Sequence, residues 1–279
     1  MGSQTETLTI NTDVDFTDPG FAMRIEGTGY HGNTRDKGAF YISRDRGSNW
    51  LGPFSFNNLT DCPELKSLEI TARTDYCIEG PHQCLFFMSA RGGALTTDKV
   101  FCARTSDSGR SFSFISWIVP LSDPYRAVMP STVQCPSGDL VSAIRRREPG
   151  SANCWIDVYI SRDAGETWKH SGRAAETGGW NGNPPALTVM ANGTLCCVFG
   201  ERETCRMIAR YSPDQGKTWN REFILRDDFE CDRFKDPDLG YPRVTRLEDG
   251  RMLSCYYWAT EQAPHQHIAA TIWDAGADI

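Results

Sequence analysis

Along the whole chain, apolar and polar residues alternate in short runs, and glycine-centred turns punctuate them. Pro136-Ser137-Gly138-Asp139, Ala191-Asn192-Gly193-Thr194 and Glu248-Asp249-Gly250-Arg251 each sit between strongly β-prone runs and read as hairpin turns. Helix-period patterns are nearly absent. Each stretch reads as strand, Gly turn, strand, variable loop, strand, polar octapeptide, strand. Units of this kind are expected near residues 16–60, 66–120, 126–176, 181–228 and 238–274. A lone alternating run, Glu6 to Val14, precedes the first unit.

The octapeptide recurs four times: Ser43-Arg-Asp45-Arg-Gly47-Ser-Asn-Trp50, Thr105-Ser-Asp107-Ser-Gly109-Arg-Ser-Phe112, Ser161-Arg-Asp163-Ala-Gly165-Glu-Thr-Trp168 and Ser212-Pro-Asp214-Gln-Gly216-Lys-Thr-Trp219. The residue types point to a structural turn. Asp caps backbone N–H groups, Gly takes positive φ, and the aromatic packs between neighbouring sheets. Calcium binding is disfavoured, because no box has a second carboxylate at ligand spacing. Repetition of a four-stranded unit implies an all-β fold, a β-propeller of four-stranded blades occupying residues 1–279 as a single domain. The last unit ends at Ile272-Trp273-Asp274, where a box is due. The run from Glu6 to Val14 is therefore expected to supply its fourth strand and close the ring.

Composition narrows the function. The 279 residues are 39% hydrophobic and 23% charged, enough for a core. With 29 basic against 36 acidic residues the net charge is −7, which disfavours a nucleic-acid surface. No apolar run is long enough to span a membrane. The start, Met-Gly-Ser-Gln, lacks the basic and apolar regions of a signal peptide. That leaves either a cytoplasmic protein or a secreted bacterial one written without its leader. The 11 cysteines show no metal spacing and read mostly as small buried hydrophobes, with Cys196 and Cys197 on opposite faces of one strand. His265 and His267 lack a third ligand.

The octapeptide resembles the Asp-box of the sialidase superfamily, the propellers of bacterial exo-α-sialidases. Members have six blades; five units are readable here. The resemblance implies a site made of three arginines that clamp the substrate carboxylate, a tyrosine nucleophile with a glutamate base, and an aspartic acid. Arginine forks bind carboxylates bidentately and stay charged, and a neutral tyrosine avoids the repulsion a carboxylate nucleophile meets there.

Carried onto this chain, Tyr241 matches the nucleophile, in Tyr241-Pro-Arg-Val-Thr-Arg-Leu-Glu-Asp-Gly250. Arg145 matches the second arginine, with Arg147 on the same strand face and Arg146 turned away. Met129 stands where the glutamate belongs, and Glu201 is the substitute base. Arg206 fits the third arginine, with Arg210 as runner-up; Arg24 or Arg73 fits the first. Asp75, sharing a face with Arg73, is the general acid, and Asn183 is a candidate for a sugar hydroxyl. The resemblance implies a glycan with an acidic sugar as substrate, with no cofactor. The missing glutamate keeps two alternatives open: another glycosidase or lyase, or a non-catalytic carbohydrate-binding propeller.

Overall fold

The computed structural model describes residues 7–27, 37–71, 75–179, 181–220, 222–230 and 237–275. Among these residues there are nineteen strands and one short 3-10 turn, Leu59–Asp61. The chain divides into two compact units, Met1–Asp123 and Pro124–Ile279.

The first unit holds two antiparallel sheets. One is β1 (Ala22–Glu26), β2 (Ala39–Ser43) and β3 (Leu51–Phe54). The other contains β4 (Glu69–Thr71), β5 (Tyr76–Gly80), β6 (Gln83–Arg91), β7 (Lys99–Thr105) and β8 (Ser113–Trp117). Both β4 and β5 pair with β6, so they act as two pieces of one inner strand. Phe40, Phe56, Phe86 and Phe112 meet between the two sheets. Ring centroids lie 5.5 Å apart for Phe40–Phe112 and 5.3 Å for Phe86–Phe112. Phe112, the second box aromatic, thus packs between sheets as its pattern requires. Trp50 of the first box does not and stays exposed.

The run from Glu6 to Val14 departs from expectation. Glu6 lies outside the described residues. Leu8 forms a single parallel bridge to Phe54, donating its N–H to Pro53 O (2.8 Å) and accepting from Ser55 N–H (3.0 Å). Ile10 and Val14 are buried in the first unit's own core beside Phe16, which draws the segment onto β3 rather than onto the last sheet.

The second unit holds three sheets. The first is β9 (Arg126–Gln134), β10 (Leu140–Arg147), β11 (Cys154–Ser161) and β12 (Lys169–Glu176). Next come β13 (Ala186–Val189), β14 (Leu195–Glu201), β15 (Arg206–Ser212) and β16 (Phe223–Arg226). The last is β17 (Gly240–Arg246), β18 (Met252–Trp258) and β19 (His267–Trp273). Strand alternation sends the two faces of β14 into two cores. Cys197 and Phe199 join Val141, Ile156 and Leu187, while Cys196 and Val198 join Tyr211, Tyr256 and Trp258.

The four boxes are built alike. In the second, Thr105 Oγ1 donates to Asp107 Oδ1 (2.9 Å) and accepts from Gly109 N–H (3.0 Å). The Ser111 N–H and hydroxyl donate to the two oxygens of Asp107 (2.9 and 2.5 Å). The residue before each box glycine also has positive φ: Arg46, Ser108, Ala164 and Gln215, at 56–66°. The aspartate holds that strained pair of residues in place. Burial pushes the Asp107 carboxyl up, but its hydrogen bonds outweigh burial and leave it below the ordinary 3.8.

Asp107→Ala is expected to cost about 1–2 kcal/mol at pH 7, the usual loss when a capping side chain is removed. A carboxyl lowered on folding contributes fully above its unfolded value and loses that contribution as pH falls through the folded one. The gap between wild type and variant in urea unfolding should therefore shrink on going from neutral pH to below 3.8. A constant gap would show that the charge plays no part.

Candidate active site

Two inner strands of the second unit open on the same irregularity. Pairing between β9 and β10 shifts between Ala143 and Arg145, and Met129 takes φ 51° there. Pairing between β17 and β18 shifts between Gly240 and Arg243, with Tyr241 at φ 50°. Positive φ in a bulky residue is costly and persists only when the surroundings impose it. A β-bulge re-aims the side chain it carries. Here both bulges aim at one guanidinium: Arg145 Nη1 lies 3.4 Å from Met129 Sδ and donates to Tyr241 Oη at 3.3 Å.

Arg145 is only 5% exposed. Its Nε donates to Asn181 O (2.8 Å) and its Nη2 to Gly182 O (3.2 Å). Its partners among the described residues are two carbonyls, a thioether and a phenol, with no carboxylate. Burial pulls the guanidinium below its ordinary value, Tyr241 opposes that shift, and the charges of Arg126 and Arg202 reinforce it. An arginine still remains charged in such a setting. Arg146, on the opposite face of β10, has a carboxylate partner in Asp157 (3.3 Å). Arg147 shares the face of Arg145 and reaches the same loop, donating to Asn181 Oδ1 (2.5 Å).

Tyr241 is 38% exposed and stacks on Tyr257, with centroids 5.5 Å apart. Tyr257 donates to Asp238 Oδ1 (2.7 Å), and Arg202 Nη2 reaches the same oxygen (2.8 Å). Burial first, then the bond to Asp238, hold the Tyr257 phenol well above its ordinary range. Arg202 therefore pairs with Asp238 rather than with its neighbour Glu201.

Asn183 departs from expectation. It is fully buried, donates Nδ2–H to Leu239 O (2.5 Å), and accepts from Tyr241 N–H at Oδ1 (3.1 Å). Both ends of the amide are committed to the backbone around Tyr241, so the residue positions the tyrosine rather than meeting a sugar hydroxyl. A Cβ at Gly240 would stand 2.5 Å from Asn183 Oδ1, so a glycine is required there.

Glu201 and Arg206 face each other across β14 and β15 and line a cavity of about 380 Å³ with Cys154, Glu176 and Gly178. Glu201 accepts from the N–H groups of Glu203 (3.3 Å) and Thr204 (3.2 Å) and from the Thr204 hydroxyl. Burial pushes its carboxyl above the ordinary range, with those N–H groups opposing. Its hydrogen bonds do not run to Tyr241, whose phenol meets Arg145. Arg210 is used structurally, donating to Ala174 O (2.7 Å).

The remaining candidates belong to the first unit. Arg24 is exposed, pairs with Glu26 (3.2 Å) and lies over the Tyr41 ring (4.1 Å). Asp75 exchanges backbone hydrogen bonds with Phe87 (3.4 and 3.0 Å). Arg73 lies outside the described residues. Sequence reasoning missed Asp238, Tyr257 and Arg126. Only the closeness of Asp238 to Tyr241 was visible in the chain; the other two arrive through sheet pairing.

Replacing Asn183 by Ala strands a buried backbone group, Leu239 C=O, and a part-buried one, Tyr241 N–H. The variant is expected to lose about 2–4 kcal/mol in denaturant unfolding. A loss under about 0.5 kcal/mol would show that the amide does not hold β17.

Residues 159–170 match the profile of the BNR/Asp-box repeat. No curated protein sequence matches the chain. Among solved structures, a protein of unknown function from Dyadobacter fermentans is similar with TM-score 0.69 and 19% identity, over 94% of this chain and 74% of that one. The Hadza microbial sialidase Hz136 is similar with TM-score 0.69 and 14% identity, over 96% of this chain and 56% of that one. The α-L-arabinofuranosidase Arb93a from Fusarium graminearum is similar with TM-score 0.56 and 16% identity, over 68% of this chain and 59% of that one. The chain thus spans less than two thirds of the length of either enzyme. With the repeat and the sheet order, these likenesses establish the fold, a β-propeller built on Asp-box repeats.

Proposed function

We propose that this protein is a glycoside hydrolase that removes a terminal acidic sugar, of the sialic acid kind, with retention. The observation that carries this reading is the Arg145–Tyr241 pair. A buried guanidinium without a carboxylate partner among the described residues touches the hydroxyl of a partly exposed tyrosine. An anionic sugar supplies the missing counter-charge, and Arg147 and Arg206 are the further clamp candidates.

In this reading Tyr241 Oη attacks the anomeric carbon while the leaving oxygen takes a proton. Water then cleaves the glycosyl–tyrosine bond. The adjacent Arg145 charge favours the negative oxygen that attacks. Glu201, with its carboxyl raised by burial, is the candidate base, and the resemblance assigns the leaving-group proton to Asp75.

Met129 favours a second reading. A thioether occupies the strained position where a standard sialidase carries its glutamate. The similarity to an arabinofuranosidase structure makes a neutral furanoside the alternative substrate.

The test is hydrolysis of a fluorogenic sialoside and a fluorogenic arabinofuranoside by wild type and Tyr241→Phe. Sialoside turnover that falls at least about 1,000-fold in the variant is expected, the scale of losing a nucleophile. Equal turnover by both proteins would remove Tyr241 from the mechanism. Turnover of the arabinofuranoside alone would select the second reading, and binding without turnover would leave a lectin-like role.

A further inference from the structure

The third and fourth Asp-boxes meet beside the start of β12, and backbone contacts fix them there. A Cβ on Gly172 would stand 2.5 Å from Gly216 O and 2.7 Å from Lys217 O, so the strand abuts the fourth box directly. Ser171 donates its hydroxyl to Gln215 O (3.0 Å), and Gln215 Nε2 donates to Asp139 Oδ2 (2.8 Å). Next to this contact lies a cavity of about 570 Å³, whose walls include Ile160, Arg162, Asp163, Lys169, His170 and Lys217.

The charge of this cavity runs against that of the chain. The protein carries −7 overall, yet Arg162, Lys169 and Lys217 line one concavity with Asp163 as its carboxylate. Both oxygens of Asp163 are engaged by Ser161 and Thr167 of its own box. Arg162 reaches Asp139 only at 3.9 Å, and neither lysine has a carboxylate partner among the described residues. His170 differs, with Nε2 3.5 Å from Asp157 Oδ1. A cleft lined by one sign of charge focuses the field and concentrates counter-ions. Part of the wall is apolar: Ile160 pairs with Lys169 across β11 and β12, and lysine stems cover apolar surface while their ammonium groups stay in water. The volume falls in the range of organic-ligand sites, about 300–1,000 Å³, and exceeds what a bare oxyanion needs.

We propose that this cavity is a second ligand site, for a sugar-sized molecule carrying a phosphate or sulfate ester. The ester oxygens balance Arg162, Lys169 and Lys217. The arginine fork matches an oxyanion, and each lysine adds a point charge. The carbon skeleton of the same molecule covers Ile160. A phosphate ester, with a charge of about −1.5 to −2 at pH 7, matches three cations better than a singly charged sulfate ester. Ser161 lies at the opposite end of β11 from Cys154, which pairs with Arg147. The site is therefore at the other end of the sheet from Arg145 and stands apart from the catalytic reading.

Isothermal titration of the full chain at pH 7 and fixed ionic strength tests it, with glucose 6-phosphate, glucose 6-sulfate, inorganic phosphate and inorganic sulfate as probes. Glucose 6-phosphate is expected to bind with a dissociation constant of about 1 mM or lower. Lys169→Ala/Lys217→Ala should weaken it at least about 10-fold, while Lys169→Arg/Lys217→Arg holds it within about 3-fold. Thermal unfolding checks that both variants fold. Tighter binding of the sulfate ester supports the site and assigns its ligand to the sulfate class. The proposal is overturned if neither ester saturates the chain below about 10 mM. It is overturned equally if the alanine variant binds like wild type, if the arginine variant is as weak as the alanine one, or if the inorganic ions bind as tightly as the esters.

Discussion

A carboxylate that satisfies the backbone of its own turn underlies the sheets of this protein. In each Asp-box the aspartate accepts from a backbone N–H and from two side-chain donors, while the Ser or Thr two residues earlier accepts from the glycine N–H. Two consecutive residues of positive φ are tolerable only because these bonds hold them. With its oxygens committed, the aspartate is unavailable for chemistry. Function is therefore displaced along the strands. In the first sheet of the second unit the box follows Ser161, opposite Leu140, while Arg147 pairs with Cys154 at the far end.

That far end is governed by a different constraint, the burial of Arg145. A guanidinium out of water must find oxygen partners in a rigid fork. It finds them in the carbonyls of Asn181 and Gly182, so the loop that leads to Asn183 is anchored by the same residue that meets Tyr241. Asn183 then ties that loop to the backbone on either side of Gly240. Loop, arginine and tyrosine form a closed circuit. Displacing any one of them unseats the other two.

The five sheets, their boundaries and the hairpin turns were legible because they rest on local chemistry: period-2 alternation, Gly at positive φ, and Asp followed by Gly two residues later. Gly138, Gly193 and Gly250 take φ of 85–90°, as their turns demand. Tyr241 and Arg145 were reached through the resemblance, and the structure sets the guanidinium of one 3.3 Å from the hydroxyl of the other. What stayed hidden was non-local. Asn183 looked like a sugar ligand because its burial depends on β17, which arrives 56 residues later to offer Leu239 O. Arg202 likewise finds its carboxylate in Asp238, 36 residues further along the chain. The segment before the first unit has the pattern of a strand, and pattern alone does not say which edge it meets.

Adjacent cysteines on β14 carry a last consequence. Cys196 belongs to one core and Cys197 to another, so a single strand is the wall common to both. Opening that wall strips both cores at once. The second unit is therefore expected to open as one block in hydrogen exchange, with protection shared across its three sheets rather than graded from one to the next. In a protein assembled from repeats, that coupling replaces the independent fraying a stack of separate modules would show.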